Sequence, residues 1–186
     1  MKVGVLALQG DFEAHAGILS RIGAQPVEVR TTEELESADA LVIPGGESTT
    51  IRKLATAFEL LEPVAARISG GMPVLGTCAG LIACAREIAD GDPAIWPVAD
   101  VTVRRNAYGR QVQSFEADVD VAGVGVMRAV FIRAPRIERV GAGVEVLAQH
   151  RGEPVVVRQG PVLLAAFHPE LTGDARLHDL FLRSAS

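Results

Sequence analysis

Short apolar runs alternate with longer stretches of helical periodicity through the first half of the chain, and this alternation restricts the fold more than any bulk property. Residues 3–8 form the first run, ending in Gln9-Gly10-Asp11. Asp11 is placed to cap a helix with Ala14, Ile18 and Ile22 on one face, closed by Gly23. Further runs lie at residues 26–30 and Ala40–Ile43, the latter leading into Pro44-Gly45-Gly46-Glu47-Ser48-Thr49-Thr50. A helical stretch then carries Leu54, Phe58, Leu61, Val64 and Ile68 on its apolar side, with a break expected before Pro63. Gly70-Gly71 introduce a fourth run at residues 73–76. The order strand, helix, strand, short connection, strand, helix, strand predicts an α/β fold around a mainly parallel sheet. Right-handed crossovers put helices on both of its faces.

The second half reads differently. After a helix expected over residues 79–89, strand-like runs crowd together near 101–103, Ser114–Val121, 130–132, 144–148, 155–158 and 162–167. Their spacing predicts antiparallel pairing beside the parallel core, with a last helix over 172–182. Aromatic residues make up only 4% of the chain, so the core must be aliphatic, as in the inner strands of a covered parallel sheet. With 186 residues and no repeat or linker, one domain over 1–186 is expected.

Charge and apolar content narrow the function classes. A formal net charge of -5 argues against nucleic acid as the main partner, which needs a basic face. No apolar run approaches the ~18 residues of a membrane helix, so no membrane partner is expected. Met1-Lys2 runs straight into a strand-like segment, which does not read as a signal peptide. Cys78 and Cys84 are too close to staple a chain of this length and match no common zinc spacing. A reducing, cytoplasmic setting is the expectation, with no metal site.

Gly76-Thr77-Cys78-Ala79-Gly80 sits between a strand and a helix, and has the form of a G-x-C-x-G nucleophile elbow. Such a turn strains the central residue, and side chains two positions to either side would collide. It lifts the sulfur above the carboxyl end of the sheet, where open α/β folds bind ligands. A helix N-terminus behind a thiol favours the thiolate. Cys84, among Leu81, Ile82, Ala83 and Ala85, reads instead as a buried structural thiol.

A thiolate forming an acyl intermediate needs a base. His168 ends a strand and begins His168-Pro169-Glu170. Residues two apart in extended structure share a side, so Glu170 can orient the imidazole as the third member of a triad. His15 and His178, in amphipathic helices, and His150, beside a turn, read as solvated surface.

Together, Gly76-Thr77-Cys78-Ala79-Gly80, His168-Pro169-Glu170 and residues 44–48 resemble the triad-type class I glutamine amidotransferases. Leu8-Gln9-Gly10, Arg105-Asn106-Ala107-Tyr108-Gly109-Arg110-Gln111, Phe131-Ile132-Arg133-Ala134-Pro135 and Phe167-His168-Pro169-Glu170-Leu171-Thr172 narrow the likeness to the glutaminase subunit of pyridoxal 5′-phosphate synthase. This resemblance spans essentially the whole chain. It implies a three-layer, flavodoxin-like open sheet and hydrolysis of glutamine to glutamate and ammonia. The ammonia would pass to a separate barrel-shaped synthase subunit, whose docking activates the glutaminase. Pyridoxal phosphate is then the product of the complex, and this chain carries no cofactor. The resemblance places Gly46, Glu47, Ser48, Arg105, Ile132 and Arg133 against the glutamine, and Gly46 and Ala79 at the oxyanion hole. Without it, Arg104, Arg105, Arg110 and Arg133 would read as solvated surface cations. Three rivals stand beside this reading: a glutaminase serving another synthase such as imidazole glycerol phosphate synthase, a cysteine peptidase on the same scaffold, and a non-catalytic partner-binding module.

Overall fold

The computed structural model describes residues 1–105, 107 and 114–184. The elements run β1 (Lys2–Leu6), α1 (Phe12–Arg21), β2 (Gln25–Val29), α2 (Thr32–Glu36), β3 (Ala40–Ile43), α3 (Ser48–Ala57), α4 (Leu61–Ser69), β4 (Val74–Thr77) and α5 (Ala79–Cys84). They continue with β5 (Ala85–Ile88), β6 (Ala99–Arg104), β7 (Ser114–Val121), β8 (Gly125–Ile132), β9 (Arg136–Val140), β10 (Glu145–His150), β11 (Glu153–Gln159), β12 (Val162–Ala165) and α6 (Arg176–Ser184).

Among the described residues a seven-stranded sheet has the order β10-β11-β12-β4-β3-β1-β2. Its parallel part, β2-β1-β3-β4-β12, follows the doubly wound order expected of a flavodoxin-like sheet. β10 and β11 extend it by antiparallel pairing. β5, β6 and β9 form a small second sheet, and β7 pairs with β8 as an antiparallel ribbon. Every residue of β3, β4 and β12 is buried, as central strands covered on both faces require. The core is overwhelmingly Val, Leu, Ile and Ala, with Trp96, Phe131, Phe167 and Phe181 as its bulky members.

Several expectations shift for identifiable reasons. Asp11 does cap α1, accepting from the Ala14 amide at 3.2 Å, and Gly23 takes the positive φ of 83° that ends the helix. α2 was read as a short connection, although Thr31 and Glu34 spell out a reciprocal capping box. The long helical stretch breaks at Phe58, Glu59 and Leu60, with Glu59 at φ 57°. Pro63 falls in the first turn of α4, where its missing N–H costs nothing. The helix expected over 79–89 stops at Cys84, because the amides of Trp96 and Val98 take the carbonyls of Ala83 and Cys84 at 2.7 and 3.1 Å. Ala85 then turns extended, and β5 pairs with β6. β9 went unread because its Arg136-Ile137-Glu138-Arg139-Val140 text is mostly charged. The last helix, expected over 172–182, begins only at Arg176 as α6, and a separate 3-10 turn over Pro169–Leu171 precedes it.

Sterics at the β4–α5 turn fix the backbone. A Cβ on Gly80 would run into the Ile43 carbonyl oxygen, and one on Gly76 would lie 2.8 Å from the Gly80 oxygen. Both glycines are therefore packing requirements of the turn between β3, β4 and α5. At the start of α3, Glu47 accepts from the amides of Thr49 and Thr50 at 3.2 and 2.8 Å and from both threonine hydroxyls. The Thr49 hydroxyl bond leads these interactions, which together overcome desolvation and lower the Glu47 carboxyl to about 2.

Expectations about stability follow from this packing and capping. Gly80→Ala should destabilise the fold by about 1–3 kcal/mol or more, the range for overpacking a close-packed site. Gly17→Ala, in open space within α1, should instead stabilise by about 0.5–1 kcal/mol; urea unfolding of both variants measures the contrast. Glu47→Ala should cost about 1–2 kcal/mol at pH 7 through the lost cap. Because the folded Glu47 carboxyl lies below its ordinary 4.5, its contribution is complete above that value and fades as pH falls toward about 2. Thermal melts of the two proteins should therefore converge across that window.

Candidate active site

Three neighbouring strands, β12, β4 and β3, end side by side and deliver the site. In the β4–β12 register Thr77 lies opposite Ala165, and in the β3–β4 register Ile43 lies opposite Gly76. The residues that leave these strands at the same end are Pro44-Gly45-Gly46, Cys78 and, from β12, Ala166-Phe167-His168. The amide of Cys78 donates to the Ala165 carbonyl at 2.8 Å, which anchors the elbow to β12. His168 donates its amide to the Val130 carbonyl at 2.9 Å, which ties it to β8.

Cys78 has φ 48° and ψ −101°, a sparsely populated conformation for a residue with a side chain. Its sulfur faces the Ile132 carbonyl oxygen at 3.9 Å and lines a cavity of about 160 Å³. Gly46, Glu47, Ser48, Arg105, Ile132, Arg133 and His168 line the same cavity, joined by Ile82. Ala79, expected at the oxyanion hole, is the fully buried first residue of α5 and is not among the residues lining the cavity. Gly45 is the shim between the Cys78 and His168 side chains. A Cβ there would stand 2.9 Å from His168 Nδ1 and 3.3 Å from Cys78 Cβ. Arg133 also takes a positive φ, 44°, so two of the residues lining the cavity hold strained backbone.

His168 Nδ1 lies 2.7 Å from Glu170 Oε1, and the Glu170 side chain is 1% exposed. The expectation that Glu170 reaches the ring through extended alternation is corrected: Pro169–Leu171 is a 3-10 turn that folds the carboxylate back under the imidazole. Burial alone would lower the His168 pKa, but its contacts with Cys78 and Glu170 outweigh burial and hold it well above the ordinary imidazole value. Burial would raise Glu170, yet His15 and His168 bring its carboxyl down to about 2. Cys84 has no such neighbours, and burial pushes its thiol up to about 12.

The other histidines differ from their expected surface roles. His15 and His178 are fully buried, with His15 Nδ1 2.8 Å from His178 Nε2 and His15 Nε2 3.3 Å from Glu170 Oε2. Each sits on the inward face of its helix, which amphipathic periodicity alone leaves undecided for a histidine. His150 is half-buried, its ring 5.5 Å from that of Phe115. The sequence also left unread the partners of Arg105: Asp92 Oδ2 at 2.7 Å from Nη1 and Asp90 Oδ2 at 3.3 Å from Nε. Arg104 pairs with Glu138 at 2.6 Å and with Asp90 at 3.5 Å. Gln9 braces the loop after β3, its Oε1 accepting from the Glu47 amide at 2.6 Å. Asn106, Tyr108, Gly109, Arg110 and Gln111 of the arginine-rich motif lie outside the described residues.

Known proteins match at every level. The chain is 56% identical over 185 residues to the pyridoxal 5′-phosphate synthase subunit PdxT of Frankia alni, covering 97% of this chain and 93% of that protein. It is 57% identical over 183 residues to the same-named subunit of Mycobacteroides abscessus, covering 97% and 95%. A solved glutamine amidotransferase superposes with a TM-score of 0.92 at 52% identity, covering 98% of both chains. PurLQS from Thermotoga maritima, at 14% identity and a TM-score of 0.71, shares the fold. The profile of the SNO glutamine amidotransferase family matches residues 5–186, and the chain belongs to that family.

Proposed function

We propose that this chain, acting as one glutaminase domain, hydrolyses glutamine through a Cys78–His168–Glu170 triad and supplies the ammonia to a pyridoxal 5′-phosphate synthase subunit. The observation that carries the reading is the convergence of Cys78 and His168 on one small cavity, with a buried, ionised Glu170 behind the imidazole. Cys78 attacks the side-chain amide carbonyl of glutamine, forming a tetrahedral adduct. His168 gives its proton to the departing ammonia, leaving a glutamyl thioester on Cys78. It then takes a proton from water, which attacks the thioester and releases glutamate. Glu170 holds the ring and stabilises its imidazolium form. Backbone N–H groups at Gly46 and Ala79 receive the oxyanion.

Glutamine also brings an α-carboxylate and an α-ammonium into the cavity. Glu47 and Ser48 supply polar atoms on the β3 side, and Ile132 and Arg133 on the β8 side. Arg105 pairs with the carboxylate by sharing or exchanging its contacts with Asp90 and Asp92. Those carboxylates are 29% and 43% exposed, and pairs so placed are worth about 0–1 kcal/mol, so a substrate can compete with them. The relatives' name supplies the synthase partner, and a cytoplasmic setting agrees with two free cysteines.

Glutamate release should be weak for the chain alone and rise when the pyridoxal phosphate synthase subunit is added. Stimulation by a different synthase, such as imidazole glycerol phosphate synthase, with none by this one would reject the partner assignment. Cys78→Ala should lower turnover by about 1000-fold or more in the complex, and Glu170→Gln by about 100-fold or more. A glutamine-analogue electrophile should label Cys78 and spare Cys84, read by peptide mass spectrometry.

A further inference from the structure

We propose that His15 and His178 are positioning residues for glutamine hydrolysis, forming a buried directional chain of hydrogen bonds that holds the Glu170 carboxylate from the side opposite His168. The inference rests on the triad reading above and extends it to residues on α1 and α6.

Four separate parts of the fold meet at this point: His15 from α1, His178 from α6, Thr77 from the end of β4 and Glu170 from the turn after β12. The side chains of His15, His178 and Thr77 are wholly buried. Two imidazoles enclosed in an aliphatic core cost stability unless they are hydrogen-bonded, so their presence calls for a partner that needs them. That partner is Glu170. One carboxylate oxygen is taken by His168 at 2.7 Å; the other, Oε2, is buried and has no partner within hydrogen-bond geometry. Its polar neighbour is His15 Nε2 at 3.3 Å, which also lies 3.4 Å from Thr77 Oγ1.

The chemistry assigns the direction. An ionised carboxylate only accepts, so His15 carries its proton on Nε2 and points it at Oε2. With that single proton on Nε2, His15 accepts at Nδ1, and the 2.8 Å contact is filled by a proton on His178 Nε2. His178 Nδ1 has no hydrogen-bond partner and is left with a lone pair, which is less costly to bury than an orphaned N–H. Burial leads in lowering His178 to about 3, so it stays neutral at working pH. The chain therefore runs from His178 through His15 to Glu170, and the carboxylate is gripped from both sides.

The test compares His15→Leu with His15→Gln in the assembled synthase complex. The glutamine amide nitrogen can replace imidazole Nε2, whereas leucine keeps volume and removes the donor. His15→Leu should lower kcat about ten- to hundredfold, the range for losing a hydrogen bond to a charged group, with KM for glutamine little changed. Its kcat/KM profile should lose activity at lower pH on the alkaline side, because a poorly held Glu170 supports the His168 imidazolium less. His15→Gln should restore most of kcat. Equal loss in both variants, or a folded His15→Leu enzyme with wild-type kcat and pH profile, overturns the proposal. Nitrogen-15 NMR of the unsubstituted protein tests it independently of folding: His15 and His178 should both be neutral Nε2–H tautomers at pH 7, and a Nδ1–H tautomer at His15 overturns it. Cys78→Ala in parallel separates the two readings. An inactive Cys78→Ala beside an unimpaired His15→Leu sinks this inference alone, while an active Cys78→Ala removes both.

Discussion

The site depends on one parallel strand pairing, β4 against β12, in the register that sets Thr77 beside Ala165. Nothing local in the sequence brings residue 78 to residue 168. The ladder does it, because two parallel strands in register release their next residues at the same edge of the sheet. A parallel pair needs a crossover between its strands, and here the crossover contains β5 to β11, including the β7–β8 ribbon that supplies Ile132 and Arg133. The long insertion is thus part of the site: it closes the cavity whose floor is made by β3, β4 and β12.

That floor tolerates almost no added atoms. Gly45 separates Cys78 from His168, Gly46 fits against the Gln9 amide, and Gly76 and Gly80 pack against each other and the β3 backbone. Each glycine serves a close approach, and Gly46 also takes a φ of 150°. Cys78 and Arg133, both with side chains, are held at positive φ by the surrounding ladder. Strain of this kind costs on the order of 1–3 kcal/mol per residue and persists only where neighbouring structure over-determines it. The hydrogen bond donated by the Cys78 amide to the Ala165 carbonyl is one such restraint.

Much of this could be read from the sequence, and the failures have physical causes. The first-half strands were legible because buried parallel strands are short aliphatic runs between turn residues. The elbow and the His168-Pro169-Glu170 segment were legible because glycine and proline restrict the backbone in specific ways. Less legible were elements whose text is charged, such as β9 with Arg136, Glu138 and Arg139, or short, such as α2 with its unread Thr31–Glu34 box. The backbone path from His168 to Glu170 was misread as extended, since proline is equally at home at the start of a 3-10 turn. His15 and His178 were the largest error. Sequence periodicity tells which helix face is apolar, but a histidine is compatible with either face, and its burial is decided by a carboxylate far along the chain.

That last point links stability to chemistry. Glu170 lies at 1% side-chain exposure, where an uncompensated negative charge is costly enough that the group would ordinarily take up a proton. A protonated Glu170 could not orient or stabilise an imidazolium. The fold resolves the conflict by bringing imidazoles to both carboxylate oxygens, His168 to Oε1 and His15 to Oε2, and their contacts reverse the effect of burial. His168 is in turn held up by Glu170 and Cys78 together. The charges are mutually dependent: the carboxylate stays ionised because imidazoles face it, and one imidazole keeps its proton because the carboxylate is ionised. Burial, which penalises each charge alone, strengthens their attraction and keeps water from competing for the same hydrogen bonds.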